Sequence, residues 1–130
     1  MNKILVEVSV GELLDKISIL EIKKEKIKDP EKLKFINNEY NVLKAQLNQN
    51  IKSDNKLNIL FKSLKEINSK LWVIEDDKRL CEKNSDFTEK FIKLSRDVHF
   101  LNDDRAKIKL EMNEHTGSTI KEIKEYTKYN

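Results

Sequence analysis

The sequence predicts a mainly α-helical protein, an antiparallel bundle of about four long helices with short terminal strands that can pair with each other. Three observations lead there. Two glycines and one proline occur in 130 residues, so the chain has few places to leave a helix. Apolar side chains recur at steps of three and four over long stretches. Short polar breaks rich in capping residues separate those stretches.

The elements follow in order within one domain, residues 1–130. Residues 1–8 contain ILVEV, whose alternation and β-branching predict a strand that needs a partner for its backbone groups. Ser9 and Glu12 form an S-x-x-E capping box that opens a helix over 10–28. Its apolar positions are Leu13, Ile17, Leu20 and Ile27, with Lys24 filling the remaining step. Asp29 as N-cap and Pro30 at the first helical position start a second helix over 30–51. Leu33, Ile36, Tyr40, Leu43, Leu47 and Ile51 form its stripe.

Ser53 or Asp54 caps a third helix over 54–83, the most regular of the set. Its heptad runs Leu57, Leu60, Leu64, Ile67, Leu71, Ile74 and Cys81, broken by Lys78. Asp86 with Glu89 is the expected cap of a fourth helix over 87–115. There Phe87, Phe91, Leu94, Val98, Leu101, Ile108 and Met112 are broken by Arg105. Gly117 suits the C′ position. Residues 118–130 are a C-terminal strand that pairs with the first, or a short fifth helix. The pattern is compatible with one closed four-helix bundle and with long hairpins that pair in a dimer.

Charge is high and balanced, 26 basic against 23 acidic residues and a net charge of +3, so no single-sign field recruits nucleic acid. No apolar run is long enough to span a membrane, and ILVEVSV is too short and too acidic at Glu7 for a signal segment. A lone cysteine, Cys81, falls on the core stripe, which fits a structural thiol in a reducing cytoplasm. Gly11 and Gly117 are too far apart for a phosphate loop or dinucleotide fingerprint. Neither His99 nor His115 sits in a zinc pattern, though His99 and Asp103 are one helical turn apart. No recognised metal pattern is present, and the residues identify no particular cofactor.

The polar insertions are where chemistry can sit. Arginine is scarce, with Arg79, Arg96 and Arg105 alone among many lysines, and its planar fork marks a geometric need. Folding the chain about its turns sorts the insertions into two layers. One holds Glu21, Asn68, Asn102 and Asp103. The other holds Glu75, Asp76, Arg79 and Arg96, with Glu75 facing Arg96 and Arg105 facing Glu66. Such layers either fix helix register as paired charges or line a pocket for a divalent cation or a cationic or phosphorylated ligand.

Four motifs, VSVGELLDKISILEIK (8–23), LWVIEDDKR (71–79), FIKLSRDVHFLNDDRAKIK (91–109) and GS with EIKEY (117–126), resemble a family of small bacterial helical proteins of unknown function. The matching positions are Ser9, Gly11, Glu12, Asp15 and Lys16; Trp72, Glu75, Asp76 and Arg79; Asn102, Asp103 and Arg105; and Glu122, Lys124 and Tyr126. Lys78 departs from the family pattern, where an apolar residue is expected. The resemblance implies that the polar insertions belong to a shared design, and it implies no activity.

The expected function is therefore that of a cytoplasmic helical interaction or scaffold protein that forms a homo-oligomer, a dimer first, and can take a protein partner. The alternative is an all-helical enzyme or ligand-binding protein for a phosphorylated or cationic small molecule. There Glu21, Glu75, Asp76 and Asp103 would hold a metal or move protons, and Arg79 and Arg105 would bind anionic groups.

Overall fold

The computed structural model describes residues 2–129, so Met1 and Asn130, the outermost residues of the two expected end segments, lie outside it. Four helices form: α1 (Val10–Lys26), α2 (Pro30–Asn50), α3 (Asn55–Lys83) and α4 (Glu89–Thr116). Most begin and end where the sequence places its signals. Ser9 Oγ accepts from the Glu12 amide, Asp29 from the Glu31 amide, and Asp54 rather than Ser53 from the Leu57 amide. Gly117 closes α4 with φ of 70°, in the left-handed region that glycine tolerates.

The start of α4 departs from expectation. Asp86 accepts from both the amide and the hydroxyl of Thr88, so it shapes the turn and the helix begins only at Glu89. Phe87 is left outside α4 and exposed, stacked edge-on to Phe91 at 5.5 Å.

α3 and α4 pair along their length, joined by a short turn at 84–88. α1 packs on both of them, and α2 packs on α1 without approaching α3 or α4 along its backbone. The architecture is thus layered, α2 on α1 on the α3–α4 hairpin, and not a closed ring of four. Burial follows this order. Gly11, Leu14, Asp15, Ile17, Ser18, Leu20 and Ile22 are buried in α1, whereas Ile36 is the buried residue of α2. A helix apolar on one stripe buries one face, and α1 is covered on two. The main cluster joins Leu14 to Leu57, Leu60, Leu64 and Met112, with Val10, Leu47, Ile51, Phe61 and Ile108 packed around it.

α1 also crosses the hairpin instead of running along it. Asp15 and Ser18 meet Asn68, while Glu21 and Glu25, further along α1, meet Lys65, which precedes Asn68 in α3. With 29 residues α3 is about 43 Å long, and the 17 residues of α1 span about 25 Å. The upper half of the hairpin therefore has no third helix on it.

The terminal strands do not form among the described residues. Residues 2–8 are irregular, with Ile4 and Leu5 87% and 90% exposed. Residues 118–129 adopt neither a strand nor a fifth helix and run back along α4 instead. Side chains hold them there: Glu122 pairs with Lys109 at 3.3 Å, and the Tyr129 hydroxyl donates to Asp103. An isolated two-stranded ribbon is marginal in water, so side-chain docking on α4 prevails.

Candidate functional site

The most buried charged group among the described residues is Asp15, whose side chain is 3% exposed and faces the hairpin from the first half of α1. Its position is set by the helical repeat, since it lies one residue past Leu14 and three before Ser18 on the buried side. Arg105 reaches it with two bonds, Nε to Oδ1 at 3.0 Å and Nη2 to Oδ2 at 2.6 Å. Asn68 Nδ2 donates to Oδ1 at 2.9 Å and to Ser18 Oγ at 2.8 Å. Lys109 stands 3.8 Å from Oδ2 and pairs with Glu12 at 2.8 Å. Burial alone would push the Asp15 carboxyl up. The bonds from Arg105 and Asn68, with the charges of Arg105 and Lys109, outweigh it and hold the group below the usual carboxylate value. The bond to Asp15 likewise raises Arg105.

Beside this knot the N-terminus of α1 is closed by residues from the far end of the chain. The Gly11 amide donates to Asn113 Oδ1 at 2.7 Å, and the Val10 amide donates to Ser118 Oγ at 3.2 Å. With Ser9 serving Glu12, the first free amides of the helix have side-chain acceptors. The capping box is half formed, because the Glu12 carboxylate turns to Lys109 and Lys16. Gly11 permits the close approach. A Cβ built there would lie 2.6 Å from the Lys109 carbonyl oxygen and 3.0 Å from its Cβ.

The eight candidate residues do not form one cluster. Arg105 joins the buried knot, where it meets Asp15 and, at 3.4 Å, Asn102, instead of facing Glu66. Glu21 pairs with Lys65 at 3.1 Å and accepts from the Tyr40 hydroxyl on the other side of α1. Asp103 holds Tyr129, whose ring also packs against His99 and Phe100 at 5.2 and 5.5 Å. Glu75, Asp76 and Arg79 are exposed on the upper hairpin and make no ion pair among the described residues. Arg96 lies over the Phe100 ring at 5.9 Å and does not reach Glu75.

Asp15, Ser18, Lys109, Asn113 and Ser118 are the working members of the polar knot that the candidate set left out. For Asp15 and Ser18 a signal existed, since both lie among Leu14, Ile19 and Ile22 on a second apolar side of α1, away from the expected stripe of Leu13, Ile17 and Leu20. Among the described residues no group of three or more His, Cys, Asp and Glu is placed to hold a metal ion.

The model of a family of unknown function, DUF6165, matches residues 4–129. The chain belongs to that family. No curated protein and no solved structure matches the chain. In this DUF6165 chain the four motifs divide. Those at 8–23, 91–109 and 117–126 converge on the knot through Ser9, Gly11, Glu12, Asp15, Arg105 and Glu122. The motif at 71–79 stands apart, with Trp72 half-buried and Glu75, Asp76 and Arg79 in solvent.

Proposed function

We propose that this DUF6165 chain is a single-domain helical interaction protein that self-associates through the upper α3–α4 hairpin in coiled-coil fashion, in a reducing cytoplasm. The observation that carries this is incomplete burial. On α4 no apolar residue before Met112 is fully buried, although Phe91, Leu94, Val98, Leu101 and Ile108 keep strict helical spacing. Two helices alone cannot enclose such stripes, and a further pair would. On the face away from α1, an open groove of about 650 Å³ lined by Val73, Ile74, Phe100 and Leu101 adds more apolar surface.

The ligand-binding alternative has less support. The candidate carboxylates point to different faces, and every buried side-chain nitrogen and oxygen among the described residues already has a partner. No helix of the described residues is long and apolar enough to cross a membrane, so the exposed surface is read as a protein-binding one. Size-exclusion chromatography with light scattering over a range of concentrations tests the proposal. The expected particle has twice the mass of the chain. A strict monomer throughout the range overturns it.

A further inference from the structure

The face of α3 that meets α1 passes through Leu57, Leu64 and Asn68. The same helical repeat carries it upward through Trp72, Glu75, Arg79 and Glu82. α1 covers the lower part. Above it Trp72 is half-buried, and Glu75, Arg79 and Glu82 are exposed. Glu75 and Arg79 are one turn apart, yet they form no ion pair with each other or with another described residue. Both charges are free to reach outward.

We propose that this face binds a second copy of the chain, α3 lying antiparallel to its copy about a two-fold axis level with Asp77. The order of charges selects this arrangement. About that axis Glu75 stands opposite the partner's Arg79, and Arg79 opposite the partner's Glu75, so one stripe supplies both pairs, as an isologous contact requires. Parallel pairing would set like charge on like. Moving the axis to Glu75 places two glutamates together, and moving it to Arg79 places two arginines together. At the Asp77 axis, Asp86 in the hairpin turn is level with the partner's Asn68. The exposed Phe87 beside it then reaches the part of the partner where α1 crosses. The apolar edge of Trp72 is enclosed in the same contact. This pairing assigns the motif that the polar knot leaves unused.

The inference rests on the self-association proposed above, and two sets of variants separate them. Glu75→Arg and Arg79→Glu are surface changes, and circular dichroism checks that each variant folds. Each is expected to weaken the dimer by roughly tenfold or more in light scattering, because it sets like charges opposite twice. The double variant Glu75→Arg/Arg79→Glu rebuilds both pairs and is expected to recover the dimer. In a Cys81→Ser background, Glu75→Cys with Arg79→Cys is expected to give an oxidised covalent dimer on a non-reducing gel. A wild-type dimer that survives both single reversals and yields no crosslink overturns this pairing and leaves self-association standing. A wild-type monomer at every concentration overturns both.

Discussion

Asp15 has the heaviest consequences of any single side chain. Removing one member of a buried pair leaves the other uncompensated, and Arg105 is 29% exposed, so water softens the loss. Asp15→Ala is expected to cost on the order of 3 kcal/mol in urea denaturation. The pH dependence has a definite sign. The native carboxyl is held below its ordinary value, so folding favours the ionised form. That contribution is complete at neutral pH and disappears as pH falls below about 4 toward the native value. Asp15→Asn should therefore flatten the acid limb of stability against pH, read as urea midpoints at successive pH values. Gly11→Ala is the second residue-scale test. Alanine gains helix propensity, but its methyl meets a backbone oxygen of α4 that cannot move aside. A net loss of about 2 kcal/mol is expected, from overpacking and a lengthened Gly11–Asn113 bond.

Among the helices, α3 and α4 show what periodicity can and cannot reveal. Their heptads were legible, as were the breaks at Lys78 and Arg105. The partner of Arg105 was not, because Asp15 lies 90 residues away and no local rule links them. Asp15 lies nearly opposite Leu13 and Ile17 on the helical wheel, off the expected stripe, so that stripe did not mark its burial. The stripe of α3 also continues unchanged from Leu57 to Ile74, so nothing in it marks where the cover of α1 ends. That limit is set by how α1 crosses, which depends on packing among three helices. The position of α2 outside the hairpin was hidden for the same reason. Lys78 supplies an element-scale prediction. It is half-buried on the heptad stripe of α3 and makes no ion pair among the described residues. Lys78→Leu restores the heptad and is expected to stabilise the fold by about 1 kcal/mol, measured as a higher urea midpoint at unchanged slope.

At the scale of the whole molecule, the end of the chain has two separable tasks. Ser118 caps α1, whereas residues 121–129 lie along α4 and touch the knot through the half-exposed Glu122 on Lys109. Ser118→Ala is expected to lower stability by about 1 kcal/mol in thermal melts. Truncation after Ile120 keeps the cap and is expected to cost less than that substitution, because the pairs it removes are open to water. The cap also bears on the order of events during synthesis. The acceptors for the Val10 and Gly11 amides come from residues 108 and 102 positions later. At about 5–20 residues added per second, that is on the order of 10 s of waiting. The first of these four helices to leave the ribosome is thus the last to be finished, and until then its apolar flanks are open to whatever else in the cell can hold them.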